Sequence, residues 1–438
     1  MPTRKFSFAV TVALAMFVAS SIMIAVRAQA QTETVLHNFG NGKDGAAPYA
    51  SLTRDSAGNL YGTTLSGGSG SCMPIYGSTT VPCGAVFELS PQPGGGWTER
   101  VLYSFQGQDG YQPAADLTLD AAGNLYGTTA EGGTGECVPY KQGNAVGCGV
   151  VFELIPSASG VWTEKVLLDF KVDGTTGIGP SGGLVFDAAG NLYGTTGGGG
   201  AHSDGTVFEL SPSSGGNWNE TVLYSFHYED GANPISTPVF FGGNLYGIGA
   251  WGGQHGAGVV FELIPQASGW EEKVLHEFCS RAQCADGAGP DGDLIVDAVG
   301  NLYGTTSSGG HGMGCYGCGT AFELTPGAHR SWTETVLHDF GAHGDGLSTS
   351  GGLVFDAVGN LYGLTPYGGT FNWGTVFELS PQSDGSWSES VLYSFHLGTE
   401  NDGGVPVGRL VIDASGNLYG ATDNGGTYYG GTVFEITR

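Results

Sequence analysis

Gly58-Asn59-Leu60-Tyr61-Gly62 sets the reading of the whole chain, because it returns. The same motif stands at Gly123–Gly127, Gly190–Gly194, Gly243–Gly247, Gly300–Gly304, Gly359–Gly363 and Gly416–Gly420. These seven copies lie 65, 67, 53, 57, 59 and 57 residues apart. Recurrence at such a period marks a repeat architecture, in which each unit buries its faces against its neighbours.

Around one copy, the residues read as four strands. Gly183-Leu184-Val185-Phe186-Asp187 is a short apolar run, and Ala188-Ala189-Gly190 turns the chain. Asn191 to Thr196 is a second run, Thr206-Val207-Phe208-Glu209-Leu210 a third, and Trp218 to Phe226 a fourth. A Gly-rich loop separates the second from the third. Short apolar runs bounded by Gly, Pro, Asn, Asp or Ser are the mark of strands and hairpins. No segment keeps a 3.6-residue apolar period, so almost no helix is expected.

The third strand recurs with Phe87, Phe152, Phe208, Phe261, Phe322, Phe377 and Phe434, and the fourth with Glu33, Glu99, Glu164, Glu220, Glu272, Glu334 and Glu389. Four strands in each of seven repeats suit an all-β, seven-bladed β-propeller with four antiparallel strands per blade. The last repeat stops at Phe434-Glu435-Ile436, after its third strand. Thr34-Val35-Leu36-His37 is an unused fourth strand ahead of the first repeat. One N-terminal strand, at about residues 32–39, therefore closes the ring with three C-terminal strands and removes two exposed sheet edges.

Composition fits one exported domain. Glycine makes up 81 of 438 residues without a Gly-X-Y period, and aromatics reach 11%. The chain is thus neither collagen-like nor disordered. Residues 1–30 read as a signal peptide: Arg4 and Lys5, an apolar run from Ser7 to Val26, then Ala28-Gln29-Ala30 as the cleavage site. The run is also long enough for an uncleaved anchor. Residues 31–438 form the single propeller domain. Removing residues 1–30 takes away Arg4, Lys5 and Arg27, so the net charge goes from −27 to −27 − 3 = −30. Such an excess argues against nucleic acid and anionic lipid as partners, and no membrane contact is expected beyond the leader. A monomer is expected.

The eight cysteines are even in number, which in an exported chain points to disulfides. Cys72 and Cys83 are 11 apart, as are Cys137 and Cys148 at the same place in the next repeat. Cys315 and Cys318 occupy that place in the fifth repeat, and Cys279 and Cys284 bracket another loop. Four local bridges are expected along these pairs. Cys315-Tyr316-Gly317-Cys318 has no second such pair or paired His nearby, so a loop staple is favoured over a zinc or redox motif.

Taken together, GNLYGTT, GTVFELSP and WTETVLYSF-like runs resemble the bacterial extracellular tandem repeats known as GloVer repeats, over residues 32 to 438. The resemblance implies an exported repeat protein and no particular chemistry. It also implies a C-terminal sorting anchor in many members, which is not expected here because the array runs to Arg438. The first two strands look like those of NHL-type propellers, which would put Leu184–Asp187 and its equivalents innermost.

That order brings two loop types to one face. The loops between blades carry Asp-Gly at Asp44, Asp109, Asp173, Asp230, Asp286, Asp345 and Asp402. These are candidates for a Ca2+ site, against the simpler reading of Asp-Gly as a turn. The loops between second and third strands carry Tyr76, Tyr140, His202, Trp251, His255, His311, Tyr367, Trp373, Tyr428 and Tyr429. The last eight of these are the candidate ligand-binding residues, because loops on a rigid scaffold are where binding side chains gather. Trp97, Trp162, Trp218, Trp270, Trp332 and Trp387 open the fourth strand at a fixed place and mark packing, whereas Trp251 and Trp373 are off-register. Asp55, Asp120, Asp187, Asp297, Asp356 and Asp413 read as hairpin caps, and the VFEL glutamates as cross-strand partners.

No catalytic residue is assigned. Gly179-Pro180-Ser181-Gly182-Gly183 fits G-x-S-x-G but no helix follows, so no nucleophile elbow forms. The G-x-G-x-x-G matches at Gly177 and Gly247 open no helix either. The favoured function is a non-catalytic propeller that binds an extracellular glycan, peptide or surface protein through its loop-rich face. The alternatives are a structural surface or matrix component and a lyase or hydrolase at the channel mouth, the last by fold analogy alone.

Overall fold

The computed structural model describes residues 31–72, 79–139, 145–311, 318–342, 344–397 and 401–438. The leader call on residues 1–30, with its cleavage site, lies outside them, as do Tyr76, Tyr140 and Cys315. Seven antiparallel sheets are arranged as a propeller, six of them following the chain from inner to outer strand and the seventh taking its outer strand from the N-terminus. Blade three shows the pattern: Val185–Phe186, Leu192–Thr196, Thr206–Pro212 and Trp218–Ser225. Blade one differs, because its innermost strand is split into Ala46–Pro48 and Thr53–Arg54, both paired with Leu60–Ser66.

Blade seven is Gly403–Ile412, Leu418–Gly425 and Thr432–Thr437, completed by Thr32–Asn38. Thr34 sits opposite Glu435, Val35 opposite Phe434 and His37 opposite Val433. The ring is therefore closed by the strand that the first repeat does not use.

The glycine that ends GNLYG has a steric reason. Gly62 faces Phe87 across the ladder, and a Cβ on Gly62 would lie 2.5 Å from Phe87 Cζ. Gly127, Gly194, Gly247, Gly304, Gly363 and Gly420 meet their phenylalanines at 2.4–2.7 Å in the same way. The tip of each buried ring thus occupies the space that a side chain on the glycine would need.

Those rings also join the blades. Phe105, at the end of blade one, packs against Phe152 of blade two with centroids 5.1 Å apart. Six further contacts of this kind carry the stack round, including Phe39–Phe87 at 4.9 Å across the closure. The tryptophan opening an outer strand packs against a tyrosine of the preceding blade, as Trp97 on Tyr419 and Trp218 on Tyr126. Edge-to-face ring pairs of this sort add about 0.5–1.5 kcal/mol beyond their buried area.

The innermost strands are only two residues long in blades two, three and six, shorter than the Leu184–Asp187 run suggests, but reach nine and ten residues in blades five and seven. A Cβ on Gly351 would lie 2.0 Å from the carbonyl oxygen of Gly408 in the next blade. Gly351 and Gly408 also have φ of +76° and +73°, so neither tolerates a side chain.

Candidate functional site

The two ends of the propeller are built differently. One end carries the tight turns between first and second strands. There Asp55 accepts bonds from the backbone N of Ala57 and Asn59 (2.9 Å each), from Asn59 Nδ2 (2.8 Å) and from the Tyr61 hydroxyl (3.2 Å). Asp120, Asp187, Asp297, Asp356 and Asp413 repeat this cap. In blade four Phe241 takes the aspartate's place, and Asn244 donates instead to Glu262 at 2.6 Å. The VFEL glutamates take hydrogen bonds from the cross-strand tyrosines, as Tyr126 to Glu153 at 2.9 Å and Tyr303 to Glu323 at 2.8 Å.

The opposite end gathers both longer loop types, which pair with each other: Ala232 bridges Trp251, Tyr111 bridges Glu131, and Gly346–Leu347 pairs with Tyr367–Gly368. All eight exposed tyrosine, tryptophan and phenylalanine rings among the described residues lie at this end: Tyr228, Trp251, Tyr367, Phe371, Trp373, Tyr428 and Tyr429 in these loops, and Tyr49 in the break of blade one's innermost strand, near Tyr367 and Asp423. The turn end exposes only the aliphatics Ile155, Val161, Val299 and Val358 among large apolar side chains described. Cys72–Cys83 and Cys137–Cys148 staple two of the loops between strands, and Cys279–Cys284 a loop between blades. Cys318 is also disulfide-bonded.

On the axis lies a cavity of about 310 Å³, lined by Tyr49, Ser51, Asp116, Thr237, Asp291, Asp293 and Ser350 with several glycines. Asp116 accepts from the backbone N of Ser51 and Asp293 from that of Thr237, each at 2.7 Å. Arg409 stands 4.0 Å from both carboxylates. Burial raises the Asp293 carboxyl, the Asp116 charge adds to this, and Arg409 opposes it. Burial also raises Asp291. The Tyr49 hydroxyl is pushed up by burial, and then by Asp291, Asp423 and Tyr367 nearby. The Ser350 hydroxyl is buried in the wall without a partner. No histidine among the described residues lines this cavity.

Of the eight candidate ligand residues, Trp251 is on blade four, while Tyr367 and Trp373 are on blade six. Tyr428 and Tyr429 are on blade seven, next to the closure. His202 is exposed and stacks edge-on against His227 at 5.1 Å. His255 is exposed, and His311 lies 3.6 Å from Asp339. The three histidines are spread over blades three, four and five and form no common site.

The Asp-Gly aspartates act in their turns, one at each blade junction. Asp109 accepts from the Tyr103 hydroxyl at 2.5 Å, Asp230 from Tyr224 at 2.7 Å and Asp402 from Tyr393 at 3.1 Å. His37 and His338 take the tyrosine's place beside Asp44 and Asp345, at 3.3 and 2.9 Å. His276 lies 3.5 Å from the fully buried Asp286. Asp173 has no such partner, because Leu168 stands there, and it caps Thr175 and Thr176 in the open; those bonds lower its carboxyl to about 2.

Each of these aspartates acts on the fourth-strand glutamate of the next blade. Burial, reinforced by the aspartate, raises Glu33 and Glu272 to about 8 and Glu99, Glu164, Glu220 and Glu389 to about 7. Glu334 also reaches about 7, held back by Arg281. In all seven glutamates Oε1 is buried and accepts no hydrogen bond. Sequence reasoning used these glutamates only as strand markers. The signal was there: a carboxylate at one fixed place in an otherwise apolar strand.

Fold and site together define a tandem-repeat β-propeller with one face of repeated caps and one face of varied aromatic loops. The chain belongs to the Gloeobacter/Verrucomicrobia repeat family, whose family model matches residues 18–248 and again 216–434. No curated protein matches it.

Proposed function

We propose that the protein is an exported, non-catalytic propeller that binds an extracellular glycan on its loop-rich face, with a chain end entering the axial cavity. One observation carries this reading: all eight exposed rings described lie on that face. Flat rings offer stacking surfaces to sugar planes, and the Ser, Thr and Asp groups of the cavity offer hydrogen bonds. Tyr49 links the two, being half-exposed on the face and part of the cavity wall. Three disulfides fit an oxidising compartment, and Ala28-Gln29-Ala30 fits export.

A glycan array probed with the wild type and with Trp251→Ala/Trp373→Ala tests the face. At least a tenfold loss of binding in the variant is expected; equal binding by both would reject the reading. Binding of a peptide or surface protein in place of any glycan would redirect it. N-terminal sequencing of secreted material should begin at Gln31, and a retained leader would count against export with cleavage.

A further inference from the structure

The junction between blades five and six carries more than a turn. His338, on Trp332–Asp339, and Asp345, in the loop that follows, come from blade five; Glu389, on Trp387–Ser394, comes from blade six. One ligand atom from each lies within 4.8 Å of the others. His338 Nε2 is 2.9 Å from Asp345 Oδ2, and the Asp345 side chain is 5% exposed. Glu389 Oε1 is shut off from water and accepts no hydrogen bond. A buried carboxylate oxygen without a donor is costly unless something positive faces it.

At a neighbouring junction a cation reaches the same glutamate position through the carboxylate's other oxygen. His276, Asp286 and Glu334 occupy the equivalent positions between blades four and five. There Arg281 reaches across, and its Nη2 lies 2.6 Å from Glu334 Oε2, on a glutamate side chain only 1% exposed. The chain supplies its own cation at that junction. Between blades five and six no lysine or arginine among the described residues pairs with Glu389 or Asp345. His343, in the same loop, lies outside the described residues.

We propose that His338, Asp345 and Glu389 bind a divalent transition-metal ion of zinc's class, which clamps blade five to blade six. One imidazole nitrogen and two carboxylate oxygens suit Zn2+ better than Ca2+, which takes six to eight oxygens. Zinc bonds to these atoms run about 2.0–2.2 Å, so the donors need to draw in by about 1 Å at most. Solvent can complete the coordination from the His338 side, which is 21% exposed.

The test uses the untagged full chain, stripped with chelator and dialysed against Zn2+, with metal content measured by mass spectrometry. The wild type should hold one equivalent more than Glu389→Gln and than His338→Gln. Its melting temperature should rise by about 3 °C at an ion level a hundredfold above Kd, and those of the variants should not. Two variants are used so that the loss of one to misfolding, read by circular dichroism without metal, leaves the other decisive. Arg281→Ala should take up a further equivalent at the neighbouring junction. Equal zinc content in wild type and both variants would overturn the site. A preference for Ca2+ would overturn the donor assignment, and unchanged uptake by Arg281→Ala would overturn the role given to that guanidinium.

Discussion

The two ends of the propeller obey different rules. At the turn end, six of seven blades hold the same aspartate cap, bonded to the same asparagine and tyrosine positions. At the loop end, exposed rings fall unevenly: Tyr49 on blade one, Tyr228 and Trp251 around blade four, Tyr367, Phe371 and Trp373 on blade six, Tyr428 and Tyr429 on blade seven, and none among the described residues of blades two and five. Groups that answer to packing repeat, because each blade presents the same neighbour to the next. Groups that answer to solvent and ligand need not repeat, and here they do not. The difference separates scaffold from surface without reference to any relative.

The largest expected effect breaks the scaffold. Phe322 is fully buried, lies over Gly304 and packs on Phe278. Phe322→Ala should cost about 3–5 kcal/mol, through lost burial and the cavity left behind. Trp251→Ala, with 61% of the residue exposed, should stay within about 0.5 kcal/mol. Chemical denaturation of the two variants gives the contrast directly, and equal losses would erase it.

Next in size is a pH effect seated between blades. Glu164, Glu220 and Glu272 hold protons in the folded state up to about 7, 7 and 8, against 4.5 in the unfolded chain. A carboxyl raised on folding stabilises fully below its unfolded value, and that contribution is lost as pH climbs through the folded value. The melting temperature should therefore fall between about pH 5 and pH 8.5, and Glu272→Gln should flatten that fall. A melting temperature that rises over this window would contradict the assignment.

A smaller effect separates the two kinds of aspartate. Asp297→Ala removes the acceptor for Val299 N, Asn301 N and Asn301 Nδ2 and should cost about 1–2 kcal/mol. Asp173→Ala, at an exposed loop tip, should cost under about 0.5 kcal/mol. Urea midpoints of the pair measure this.

Much of the fold was legible because packing forces a period on the chain. The Gly62–Phe87 contact recurs in each blade, so GNLYG and VFEL recur too, and the closing strand showed as Thr34–His37 without a repeat of its own. The site was legible only in part. Trp251 and Trp373 stood out as off-register. Tyr49, Asp116, Asp293 and Arg409 did not, because the axis draws one residue from each of several blades and no local spacing records that. The Glu–Asp junctions escaped for a related reason: both partners repeat, but their contact crosses from one repeat to the next.

Hydrogen exchange with the strongest array ligand bound is the most direct check that the varied face is the working one. Slowed exchange is expected in residues 226–258, 366–374 and 423–431, with the caps at 55–59 and 297–301 unchanged. Protection centred on those caps, with the aromatic loops exchanging as in the free protein, would contradict the account.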